Sequence, residues 1–170
     1  MQKITIELSQ KSVENAIKQI EAYRTSLERK IDMFLSRLAD TGIEVVRATM
    51  GSVPDDDRGN YSVEKVNSSP NGVAILLSGN KILFVEFGAG VIYSNPQHPK
   101  AGEMGYGVGT YNPQSGNAWN LTKWGGGWWY TENGNSKHSY GNPAYMPLYK
   151  AEIDILEKVG TIAREVFRSS

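Results

Sequence analysis

The residues with chemistry to offer are few and scattered. His98 and His138 stand forty positions apart in glycine-rich surroundings, without the HxxxH or similar short spacing that places two imidazoles on one metal. There is no cysteine, so thiolate zinc sites, iron–sulfur clusters, disulfides and cysteine nucleophiles are excluded, and the redox compartment leaves no mark. The run Asp55-Asp56-Asp57-Arg58-Gly59-Asn60 is acidic, but a calcium loop needs carboxylates on alternate positions and a distant bidentate glutamate, so it reads as a solvated turn. Gly105-Tyr106-Gly107-Val108-Gly109-Thr110 resembles a nucleotide loop only in its glycines. A phosphate cradle leads into a helix N-terminus, and here an Asn112-Pro113 turn follows. No GxSxG elbow is present. The expectation is therefore no catalytic residue, no metal site and no cofactor.

Two features stand out against that background. Glu86 is the one charge inside the apolar run Ile82–Phe87. A lone buried carboxylate is costly, so it is expected to accept backbone N–H groups from the Gly88-Ala89-Gly90 turn, or to meet a cation from its own chain or a neighbour. A structural or interface role is favoured over catalysis, which ordinarily needs a second titratable partner. Phe84 and Phe87 join Glu86 as interface candidates. The second feature is aromatic: Trp119, Trp124, Trp128 and Trp129, with Tyr106, Tyr111, Tyr130, Tyr140 and Tyr145. Such residues bury much area while freezing few torsions, which suits partner surfaces and sugar platforms. Trp124, Trp128, Trp129 and Tyr130 are the interface candidates here. A local mini-core is the alternative.

The elements that must position these residues follow from the pattern of the 170 residues, 39% of them hydrophobic, enough for one medium domain. Eighteen basic residues balance eighteen acidic ones, which removes the positive field that general nucleic-acid or anionic-membrane binding requires. The N-terminus lacks the apolar stretch of a secretory signal and no run approaches a spanning helix, so a soluble cytoplasmic protein is expected.

Val13, Ile17, Ile20, Leu27, Ile31, Phe34 and Leu38 recur at threes and fours, predicting a helix toward Met50 with Ser9 or Ser12 as its cap. The helix either runs unbroken for nearly 40 residues or bends around Asp40-Thr41-Gly42, where glycine costs about 1 kcal/mol. An unbroken helix is longer than a domain of this size covers alone, which invites a second chain. Residues 54–88 are expected to form an antiparallel β-meander of three strands, Tyr61–Val66, Val73–Leu77 and Lys81–Phe87, the last two joined by a Gly79-Asn80 turn. Residues 89–142 form a Gly/Trp-rich insertion with a hairpin at Trp128-Trp129-Tyr130 turning on Glu132-Asn133-Gly134. From Gly88 to Gly141 it holds twelve of the eighteen glycines, all four tryptophans and five charged residues. Residues 143–170 close the chain with an amphipathic helix. The predicted class is α+β in a single domain, helices on a small antiparallel sheet.

In this order the elements resemble the head–tail connector family of tailed bacteriophages and prophages, the small neck or tail-completion proteins. The long helix ending at Val53-Pro54 with a turn to Gly59 is similar to that family's opening. Ile82-Leu83-Phe84-Val85-Glu86-Phe87-Gly88 resembles its most recognisable element, a strand closing in Val-Glu-Phe-Gly. Asn142-Pro143-Ala144-Tyr145-Met146-Pro147-Leu148 looks like its proline-rich lead into the last helix, and Ala151–Phe167 has that helix's length and place. Ala89 stands where a threonine is common, and Met146-Pro147-Leu148 where Arg-Pro-Phe is more usual. The resemblance implies a non-enzymatic structural protein that forms a ring-type homo-oligomer and joins phage neck, portal or tail proteins. Its location would be the host cytoplasm during assembly and then the virion. The competing expectation is a carbohydrate- or cell-wall-binding module, since Gly127-Trp128-Trp129-Tyr130 with Asn133-Gly134 looks like one unit of choline-binding aromatic repeats, although only one copy is visible.

Overall fold

The computed structural model of the chain describes residues 7, 9–69, 72–88, 98–104, 128–139 and 141–168. Helix α1, Gln10–Ser52, is continuous over 43 residues, about 65 Å at the usual rise. Ser9 caps it, its side chain accepting the Ser12 N–H, while Ser12 Oγ accepts the Glu7 N–H at 2.9 Å. The helix is unbroken at Gly42. A Cβ there would lie 2.5 Å from Ile75 Cδ1 and 2.7 Å from Ile155 Cδ1, so the glycine marks a close crossing of three elements rather than a hinge.

Pro54 starts the single helical turn α2, Asp55–Arg58, in which Arg58 pairs with Asp55 and donates to the Met50 carbonyl, closing the end of α1. Strands β1, Tyr61–Ser69, and β2, Gly72–Gly79, pair antiparallel with Val63 opposite Leu77 and Lys65 opposite Ile75. Lys65 ties the hairpin to α1 through Asp40 at 2.7 Å and Ser36 at 2.8 Å.

The third expected strand is a helix instead. Ile82–Phe87 forms the six-residue α3, capped at its C-terminal end by Gly88 with φ of 77°. A short apolar run fits either a strand or a buried helix. The helix wins because it turns Ile82, Val85 and Glu86 inward and leaves Leu83 exposed, whereas a strand would have set Glu86 beside Ile82 and Phe84. The meander is thus a two-stranded hairpin followed by a helix.

Strands β3, Trp128–Glu132, and β4, Asn135–Ser139, form the second hairpin at its expected place, with Asn133 and Gly134 both at positive φ as a type I′ turn requires. Helix α4, Pro147–Arg168, runs back antiparallel to α1, with Ile155 near Gly42, Glu165 on Arg37 at 2.5 Å and Phe167 against Phe34. The long helices and the β1–β2 hairpin enclose a core of Val46, Met50, Val53, Leu77, Ile82, Val85 and Ala151. This is the α+β arrangement expected, two helices on a small antiparallel sheet. No helix among the described residues is long and apolar enough to cross a membrane.

Candidate functional site

The site is built where α4 begins. Met146, just before the helix, holds a positive φ of 58° and carries no side-chain acceptor for the helix amides, and Pro147 brings no N–H. The Lys150 N–H reaches the Met146 carbonyl at 3.0 Å, which leaves the amides of Leu148 and Tyr149. Glu86 takes both: Oε2 accepts from Leu148 at 2.9 Å and Oε1 from Tyr149 at 3.0 Å. The helix cap that a local serine or aspartate ordinarily supplies is here a carboxylate from 62 residues earlier, set against the positive end of the helix dipole.

The same carboxylate meets His98, whose Nε2 lies 3.0 Å from Oε1. His98 Nδ1 accepts the Lys100 N–H at 3.1 Å, so that nitrogen is bare and Nε2 carries the proton donated to Glu86. The imidazole is held between the rings of Phe87, 4.5 Å away, and Tyr149, 5.1 Å away. Both members of the pair are 4% exposed. Each imidazole nitrogen and each carboxylate oxygen is engaged, three of the four bonds involving main-chain amides, so the pair holds the start of α4 and the 98–100 turn in place. No group of three or more His, Asp or Glu side chains is placed to hold a metal ion among the described residues.

The backbone of α3 completes the clasp. The Val85 carbonyl accepts the Tyr145 N–H at 2.8 Å, the Phe84 carbonyl accepts Asn142 Nδ2 at 2.7 Å, and a Cβ on Gly88 would lie 2.9 Å from the Ala144 nitrogen. Val-Glu-Phe-Gly and Asn-Pro-Ala-Tyr-Met-Pro-Leu thus form one interlocked unit. Beside it opens a cleft of about 330 Å³ lined by Leu83, Phe87, Met104 and Tyr149 and edged by the Lys100–Glu152 ion pair, 2.5 Å long. The hydrogen bond that Lys100 donates to Glu152 raises the Lys100 pKa above the ordinary lysine range, with partial desolvation pulling the other way.

The expected Gly88-Ala89-Gly90 donors are replaced, among the described residues, by the amides of α4. Phe87 is buried on His98, and the half-buried Phe84 contributes its carbonyl to Asn142. In the second hairpin, Trp129 is 67% exposed with its ring T-shaped on its cross-strand partner His138 at 4.8 Å, and Trp128 and Tyr130 pair through their backbones with Ser139 and Lys137. Lys81 links this hairpin to the body through Glu132 at 3.8 Å and the Asp56 carbonyl at 2.7 Å. Trp124 lies outside the described residues, as do Ala89 and Gly90. The aspartate run makes contacts of its own, with Tyr145 donating to Asp57 at 3.1 Å.

In comparisons with known proteins no family model matches the chain, and no curated protein or solved structure matches it. The site therefore rests on its own geometry. Sequence reasoning missed His98, Lys100 and Glu152 as its members. The available signal was the need of a buried Glu86 for a donor, which the histidine eleven residues beyond Phe87 can meet.

Proposed function

We propose that the chain is a non-enzymatic assembly protein of a tailed phage or prophage, acting at the head–tail junction or in tail completion by ring-type oligomerisation with portal, neck or tail partners. Its place would be the host cytoplasm during assembly and then the virion. The observation that carries this reading is the clasp. Two of the four motifs behind the family resemblance are locked to each other by Glu86, and the carboxylate and imidazole there are committed to main-chain and mutual hydrogen bonds. A body fixed in this way suits an adaptor that transmits contacts. The test is co-sedimentation of the purified protein with DNA-filled heads and with tails, together with an assembly assay in which the protein is withheld and added back. Rescue of head–tail joining supports the reading, and unchanged joining without the protein overturns it.

A second reading is favoured by Trp129, whose exposed ring, set T-shaped on His138, offers a face to a sugar or a choline headgroup. Titration with choline and with cell-wall glycans, following tryptophan fluorescence in the native protein and in Trp129→Ala, separates the two. Saturable quenching lost in the variant would support the wall-binding reading.

A further inference from the structure

The apolar stripe of α1 is only half used. On α1, Val13, Ile20, Leu27 and Phe34 recur every seven residues, and Ile17, Arg24, Ile31 and Leu38 do the same, which makes them the d and a positions of a heptad repeat sustained from 13 to 38. Toward the C-terminal end the stripe is covered from within: Phe34 packs on Phe167, and Leu38 lines the groove between α1, β2 and α4. Toward the N-terminal end the same stripe continues past Phe167, and Val13, Ile17, Ile20 and Leu27 are 37 to 53% exposed. About 30 Å of helix, residues 10–29, carries this face.

The flanking charges indicate what covers it. The e positions are Glu14, Glu21 and Glu28, and the g positions are Ala16, Tyr23 and Lys30. An antiparallel partner with the same sequence would set the glutamate rows against each other. A parallel one sets Glu28 beside the neighbour's Tyr23 and opposes like charges only at Arg24, which faces its own copy. Arg24, the one polar a residue, is neutralised within its own helix by Glu28 at 2.8 Å. A polar a position of this kind penalises slipped registers, because a slip would oppose it to an isoleucine.

We infer that residues 13–27 of α1 pair in parallel and in register with the same segment of a second copy of the chain, continuing the seam that α4 fills further along. The inference rests on the oligomer reading above and deepens it by naming the surface and its direction. Such a pair closes on itself about a two-fold axis along the helices, so it supplies a dimeric unit from which a larger ring is built through other surfaces.

The test needs no phage particle. Because the chain has no cysteine, Ile17→Cys and Leu27→Cys each place a single thiol on the seam. Oxidation at high protein concentration is expected to give covalent dimers from each variant alone. Linkage only between Ile17→Cys and Leu27→Cys in a mixture would mean antiparallel pairing, and that result or no linkage at all overturns the inference. Sedimentation equilibrium over a wide concentration range is expected to show the native chain rising to at least twice the monomer mass and Ile20→Glu/Leu27→Glu remaining monomeric. Association of the double variant equal to that of the native chain overturns the inference as well. Head–tail joining assays report separately on the assembly role: a chain that crosslinks but does not join heads to tails sinks that role and leaves the seam standing.

Discussion

Glu86 and His98 form a buried pair in which one carboxylate oxygen, Oε1, is shared between the imidazole of His98 and the first turn of a helix. Replacing Glu86 by Ala strands two helix amides and an imidazole N–H, and the expected loss is about 2–4 kcal/mol. His98→Ala is expected to lose about 1–3 kcal/mol. The double variant should lose less than the sum of the two, since each single change already breaks the shared bond. Urea denaturation of the three variants checks this, and strict additivity would count against the shared bond.

Gly42 offers a sharper contrast. On helix propensity alone, Gly42→Ala should stabilise α1 by about 1 kcal/mol. The Cδ1 ends of Ile75 and Ile155 at the crossing must shift to admit the methyl group, so the substitution is expected to gain less than that or to be destabilising. Shortening the neighbour in Gly42→Ala/Ile155→Val should recover part of the loss. Thermal melts of the single and double variants decide it.

Gly88 and Gly134 share a φ of 77° but differ in surroundings, since nothing lies within 4 Å of a Cβ on Gly134. Gly134→Ala should therefore cost only backbone strain, about 1 kcal/mol, whereas Gly88→Ala adds a collision with the 142–144 backbone and should cost about 2–3 kcal/mol. Equal losses in chemical denaturation would refute the close approach.

The hairpin has an acid limit. The hydrogen bond from Lys137, reinforced by the charges of Lys137 and Lys81, holds the Glu132 carboxyl below the ordinary glutamate range. A lowered folded-state pKa contributes stability that is fully present above the unfolded value and is lost as pH falls through the folded one. The bridge should thus persist at neutral pH and release in acid. Carboxyl titration by NMR is expected to place the Glu132 midpoint below that of a free glutamate and, in Lys137→Ala, to move it back toward that value.

Periodicity over many turns made both long helices legible, because only a 3.6-residue repeat gathers Val13 through Leu38 or Leu148 through Val166 on one side. Asn133-Gly134 marked its own hairpin, since that dipeptide tolerates two positive φ values. Ile82–Phe87 was misassigned because six apolar residues contain too little period to distinguish strand from helix, and tertiary packing settled it. The clasp itself was half legible. Burial of Glu86 followed from its neighbours, but its donors stand 62 and 63 positions away, and nothing local in Leu148 or Tyr149 announces that their amides need a distant acceptor.

The meeting of Phe84 with Asn142 has a consequence for how this chain can vary. Gly88 and Asn142 are pinned side by side, and between them His98 and Lys100 meet the body again at Glu86 and Glu152. Closing a loop costs entropy only with the logarithm of its length, about 0.6 kcal/mol for each doubling. A stretch anchored at such a joint can therefore be lengthened, shortened or exchanged at small thermodynamic expense, while the helices on either side keep their register. Natural variation in this protein should concentrate between those two residues outside the segment that carries His98 and Lys100, and the joint itself should be the part that drifts least.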